Sequence, residues 1–250
     1  MRRTPSTSSF SYSFGPGPLT PAVKALVVAN VAVFLVSLAM PAITLQLGLR
    51  PADVLEGFAV WQPLTYMFLH GGIFHILFNM LALWMFGVEL ERMWGTRYFL
   101  KFYFVAGAGA AVTTLLLSFW PGSFGSSLYY SLTIGASGAV YGVLLGYARY
   151  FPDRPIYMYL VFPIPAKYFV MIIGAISLLS SMGASGGGIA HTTHLGGLVA
   201  AYLYLKGGGR TSVMAEIKYR YLKWRINKMR RRFDVYSGGR ANKDVDRRVH

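Results

Sequence analysis

Apolar residues along this chain run in long blocks, with polar residues gathered between them. Six blocks stand out, near 22–40, 74–91, 98–118, 136–151, 167–183 and 190–206. Each is roughly long enough to cross about 30 Å of hydrocarbon as a helix. A helix satisfies its own backbone in lipid, so the pattern predicts an all-α membrane protein built as a six-transmembrane-helix bundle. The fourth block is short and carries Gly138, Gly142 and Gly146, a four-residue ladder that lets neighbouring helices approach closely. Pro152 ends it.

The stretches between and around the blocks differ in kind. Residues 41–73 combine Pro41, Pro51 and Pro63 with Trp61, Tyr66, Met67 and Phe68, which predicts a partly embedded interfacial element. Residues 1–21 are rich in Ser, Pro and Gly, show no cleavage signal, and are expected to be a disordered cytoplasmic segment. Residues 207–250 form a basic cytoplasmic tail. Within it, Val213, Ile217, Trp224 and Phe233 stand among dense Lys and Arg, the pattern either of a basic amphipathic helix on a membrane surface or of a solvated tail. Residues 237–250 read as disordered.

Composition agrees with one membrane domain, residues 22–206, carrying tails. The chain is 54% hydrophobic and 13% charged, against about a quarter charged in soluble domains. The net charge of +15 raises nucleic acid as a partner, but 13 of the 24 basic residues follow Gly209, directly after the last apolar block. That placement suits the anionic inner leaflet, and no nucleic-acid partner is expected. With six spans and both termini inside, Arg50 alone of the 24 Lys and Arg lies on the outer side, as the positive-inside rule asks. Short loops point to a bacterial inner membrane. The absence of cysteine removes disulfides, thiol catalysis and cysteine-bound zinc.

In that topology every even-numbered span starts at the outer face. His75 and Asn79 open the second, Ser137 the fourth, and His194 lies one turn into the sixth, so all share a depth just below the outer surface. Polar groups in such surroundings are costly and seldom idle. Ser137 sits in Gly135-Ala136-Ser137-Gly138, where glycine permits close backbone approach and the helix start offers N–H groups to a developing oxyanion. A serine hydroxyl needs a base to act as a nucleophile; a small packing residue or a helix cap is the blander role. His194 is the natural base, since imidazole titrates near neutrality and Asp and Glu are missing from the outer ends of the apolar blocks. His191, one turn earlier, has the same chemistry; Gly196 and Gly197 favour His194. His75 and Asn79, at i and i+4, share a helix face and can both donate to an oxyanion, or can serve as interhelical glue. Tyr141, one turn after Ser137, can pack against the imidazole or serve as an ordinary core aromatic. His70, His75, His191 and His194 form the one conceivable metal set, but no HExxH pattern or neighbouring carboxylate supports it, and no metal or cofactor is expected.

Together these strings resemble the rhomboid family of intramembrane serine proteases over residues 22–206. Gly135-Ala136-Ser137-Gly138 resembles its GxSG motif, His75-Ile76-Leu77-Phe78-Asn79 its HxxxN motif, and Ala190 to Gly197 its sixth-helix histidine motif, with His194 in the catalytic slot. Glu91 with Gly95 is similar to the acidic residue and glycine that end the second helix, and Trp61 to the tryptophan of the first-loop motif. Gln62 stands where that loop motif carries arginine, and Ala201 where glycine is frequent. The resemblance implies a six-helix core and a Ser–His dyad of Ser137 and His194 without an acidic third member. It also implies oxyanion donors at His75 and Asn79, with Gly135 and Tyr141 supporting the dyad, and transmembrane proteins as substrates. An inactive relative that binds membrane clients, or a small transporter, would instead lack the serine or histidine, or show internal repeats or a midplane charge. None of these marks is present.

Overall fold

The first apolar block folds as α1 (Pro21–Ala39), where Pro21 at the first turn gives up no hydrogen bond and presets φ. This computed structural model describes residues 15–158, 162–182, 188–207 and Arg225. Where composition predicts disorder over 1–21, residues 15–20 are instead tied down. Trp84 Nε1 donates to the Gly17 carbonyl at 3.0 Å, and Arg92 donates to the carbonyls of Pro16 and Pro18. Residues 1–14 lie outside the described residues.

The stretch after α1 holds α2 (Ala42–Leu47), α3 (Pro51–Leu55), α4 (Gln62–Thr65) and a 3-10 turn at Tyr66–Phe68. Gln62, only 2% exposed, anchors it: its Oε1 accepts from Arg50 N at 3.0 Å, and its Nε2 donates to Asp53 at 3.3 Å. An amide therefore ties the loop at the position where the resemblance expects arginine. Tyr66 Oη donates to the Gly107 carbonyl at 2.8 Å, fixing the loop to the bundle. Phe58, Val60, Trp61 and Leu64 point outward from it.

The second block is one rod, α5 (Ile73–Ala82), a π turn (Leu83–Gly87) and α6 (Val88–Trp94). Gly95, at φ +83°, breaks it from α7 (Thr96–Leu117). Glu91, 3% exposed, accepts from Ala22 N at 2.9 Å, Val23 N at 3.0 Å, Thr96 Oγ1 at 2.7 Å and Thr20 Oγ1. One carboxylate thus caps the orphan N–H groups of α1 and ties the start of α7 to the end of α6.

Next come α8 (Ser123–Tyr130) and α9 (Ser137–Tyr150). Tyr129 Oη donates to Glu56 at 2.6 Å, tying α8 to the residue that closes α3. That bond pushes the phenol up to about 12, so the tie persists through neutral pH. A two-stranded hairpin, β1 (Pro155–Met158) against β2 (Phe162–Pro165), occupies what the apolar pattern reads as a connector. Last are α10 (Ala166–Met182) and α11 (Gly188–Lys206).

Packing centres on α9, enclosed by α7, α10, α11 and the second rod. A β-carbon on Gly142 would lie 2.5 Å from Ala106 Cβ, and one on Gly197 only 1.9 Å from the Gly138 carbonyl oxygen. Glycine is therefore what lets α9 and α11 touch backbone to backbone. Among the described residues, three helical stretches are long and apolar enough to cross a membrane, Pro21–Ala39, Ile73–Trp94 and Thr96–Leu117, and Ala166–Ser181 is apolar but shorter. The 14 residues of α9 rise only about 21 Å; protein, not lipid, surrounds it. The chain divides into units Met1–Gly207 and Gly208–His250. All the elements above belong to the first. In the second only Arg225 is described, helical and exposed, so the expectations for the tail lie outside the described residues.

Candidate active site

A sharp turn delivers Ser137 to the first position of α9. Gly135 has φ +125°, a region closed to ordinary side chains, and its N–H donates to the Tyr66 carbonyl at 3.0 Å. A β-carbon at Gly135 would stand 2.7 Å from His75 Nε2 and 3.6 Å from Ser137 Oγ. The missing side chain is thus what allows the His75 ring to lie against the turn.

Ser137 Oγ and His194 Nε2 are 2.8 Å apart, although 57 residues separate them in sequence. Close α9–α11 packing across Gly138 and Gly197 makes that meeting possible. The Tyr141 ring stacks on the His194 imidazole at 4.3 Å between centroids and 11° between planes, restricting its rotation. Ser177 Oγ donates to Tyr141 Oη at 3.3 Å, a support from α10 that sequence reasoning missed because only packing brings α10 to this face. With Nε2 accepting from the serine, the neutral ring carries its proton on Nδ1, which has no partner among the described residues. No carboxylate bonds to His194 among the described residues.

His75 Nδ1 accepts from Gly71 N at 3.3 Å. A neutral ring accepting there holds its proton on Nε2, the atom that lies against the Gly135 turn. Asn79, 7% exposed, donates one Nδ2 proton to the His75 carbonyl at 2.8 Å and so retains a second donor. His70, also buried, meets His75 edge-on at 5.0 Å; its only signal in the sequence was membership of the conceivable metal set. His191 meets His194 edge-on at 5.7 Å, and of the two it is His194 that bonds the serine. Ser137, His194, Tyr141, Gly135 and His75 therefore stand together, with Asn79 one turn behind His75. Such a cluster has the parts for acyl transfer: a hydroxyl on a base, and donors beside it.

Comparison with known proteins bears on what these parts belong to. A family model described as the Rhomboid domain matches residues 57–210, more than half of the chain. The chain belongs to the rhomboid family. Rhomboid protein 1, mitochondrial, of Saccharomyces cerevisiae is 31% identical over 138 residues, covering 55% of this chain and 38% of that protein. Rhomboid protease GluP of Bacillus subtilis is 39% identical over 84 residues, 34% of this chain and 14% of that protein. RHOMBOID-like protein 4 of Arabidopsis thaliana is 31% identical over 157 residues, 62% of this chain and 36% of that protein. The matched stretch thus spans well under half the length of each of these relatives. As a rhomboid, the chain belongs to an integral membrane family, and named proteases are among its relatives. Those relatives come from a bacterium, a yeast mitochondrion and a plant, so they give the expectation of a bacterial inner membrane no support.

Proposed function

We propose that this rhomboid is an intramembrane serine endopeptidase that cleaves membrane-anchored proteins at or near their transmembrane segments. The 2.8 Å contact between Ser137 Oγ and His194 Nε2, with Tyr141 stacked on the imidazole, carries the reading. Ser137 Oγ attacks the scissile carbonyl while His194 Nε2 takes its proton. The oxyanion forms beside the Ser137 N–H, His75 Nε2–H and the second Asn79 amide proton, donors worth about 2.7–4 kcal/mol each when aimed at developing charge. His194 then gives its proton to the leaving amine, and the peptide C–N bond breaks. Water, deprotonated by the same imidazole, attacks the acyl-enzyme, releases the new carboxyl terminus and restores Ser137.

The remaining features fit around that chemistry. The domain comprises residues 22–206 as six spans, with α9 sheathed by the others. Both termini lie on the basic-loop side, and the tail residues 207–250 attract the anionic inner leaflet. The enclosure of α9 supports a watery pocket below the outer headgroups, where a hydrophilic reaction runs inside an apolar protein. The deciding experiment incubates purified protein with a single-span fusion substrate. Native protein is expected to release a fragment that Ser137→Ala does not. A folded Ser137→Ala protein that cleaves as fast as native protein sinks the assignment, and a native protein that binds the substrate without cutting it marks a client-binding relative.

A further inference from the structure

At the other end of α9 and α11 lies a cavity of about 380 Å³ lined by Leu145, Arg149, Tyr202, Leu205 and Lys206. Its two cations stand out by what they lack. Arg154 pairs with Glu89 at 3.3 Å and Lys167 with Asp153 at 2.7 Å. Asp53 takes Arg50, Glu56 takes Tyr129, and Glu91 caps α1. Every described carboxylate is thereby engaged elsewhere, and neither Arg149 nor Lys206 has one among the described residues. Both sit in the last turn of their helices. Each helix C-terminus contributes roughly half a negative charge, so two full cations leave about one positive charge in excess. That is the charge complement of one phosphodiester.

The walls argue for a lipid rather than a free anion. Val199, Tyr202, Leu203 and Lys206 are all exposed at i, i+3, i+4 and i+7, a single outward stripe on α11 that is apolar along its length and cationic at its end. Lys206 Nζ lies over the Tyr202 ring, 5.8 Å from its centre. Leu145 and Leu205 continue the apolar wall into the cavity. We propose that this cavity binds the phosphate headgroup of an anionic phospholipid, with its acyl chains along the α11 stripe. Assigning it to the inner leaflet rests on the proposed orientation of the basic loops; the binding itself does not.

The test uses full-length protein in neutral detergent, titrated separately with dioctanoyl phosphatidylglycerol, dioctanoyl phosphatidylcholine and inorganic phosphate. Binding is read by native mass spectrometry and by melting temperature. Phosphatidylglycerol is expected to bind saturably and raise the melting temperature, while the other two do neither. Arg149→Gln with Lys206→Gln should weaken the tightest site about 30-fold, roughly fivefold for each positive charge removed. Arg149→Lys with Lys206→Arg keeps both charges and should bind within a few-fold of native protein. Ser137→Ala should bind the lipid as native protein does, so that a failed cleavage assay and a failed binding assay are separate results. Undiminished binding by the double glutamine variant overturns the proposal, and so does an equal shift with phosphatidylcholine. An equal shift with inorganic phosphate makes it a free-anion site and overturns the lipid assignment. Should the glutamine variant not fold, salt decides: native binding unchanged between about 0.05 and 0.5 M salt, where screening lengths fall severalfold, sinks the idea.

Discussion

Glu91 and His194 are both polar groups held within the apolar bundle, and they are satisfied very differently. Glu91 accepts four hydrogen bonds, three from the start of α1 and one from the start of α7, leaving its carboxylate no further business. Among the described residues the His194 ring has one hydrogen bond, to Ser137, a stacked ring beside it, and an Nδ1 with no partner. A saturated network is rigid and holds the fold, whereas a partly satisfied one keeps capacity for a reacting group. The same contrast separates the cations near the end of α9 away from Ser137, where Arg154 and Lys167 are paired and Arg149 and Lys206 have no carboxylate among the described residues.

Substitutions at the two groups should fall on different observables. The largest effect is expected at Ser137→Ala or His194→Ala, each lowering kcat by about 10⁴-fold or more, with the melting temperature unmoved. The double variant should be no worse than either single one, because the pair acts as a unit. A double variant whose loss is the product of the two single losses would break the comparison at its active-site side. His75→Ala comes next, lowering kcat by about 10² to 10³ with little change in KM, as expected for a donor that acts on the developing oxyanion. Loss of KM alone would reassign His75 to substrate binding.

At the structural side, Glu91→Ala orphans the Ala22 and Val23 N–H groups and should cost about 2 kcal/mol of stability, about 1 for each capped donor. Thermal denaturation in detergent measures this, and kcat for the protein that remains folded should stay within about twofold. A large kcat loss at full stability would erase the distinction between the two ends. The smallest effect is expected from Tyr141→Phe, which keeps the stack on His194 and gives up the Ser177 hydrogen bond, for a rate loss of only a few-fold. Tyr141→Ala, which also removes the ring, should be distinctly worse in rate, and equality of the two variants would deny the stack a positioning role.

Much of the fold was legible because lipid imposes a simple rule: apolar blocks must be helical and long. The blocks at 22–40, 74–91 and 98–118 predicted α1, the Ile73–Trp94 rod and α7 within a few residues. Glycine spacing anticipated the close contact of α9 with its neighbours, since only a missing side chain lets two backbones meet. Hydropathy was silent on the hairpin at 155–165, whose pairing depends on partners and not on a block, and on the ordering of residues 15–20, which Trp84 and Arg92 hold from 67 and more positions away.

At the site, the sequence alone determined the residue types and their placement near the starts of their helices, because the apolar blocks and glycines constrain where each helix begins. It did not separate His191 from His194 by chemistry. Packing brought one to 2.8 Å from Ser137 Oγ and turned the other edge-on behind it. The tautomer of His75, the ring support of Tyr141 by Ser177 and the use of Glu91 as a shared cap likewise came only with the tertiary structure. The reason is geometric. Helical periodicity sets which way a side chain leaves its own axis, but the distance to a partner on another helix depends on rotation, tilt and interaxial approach, and no single segment encodes those.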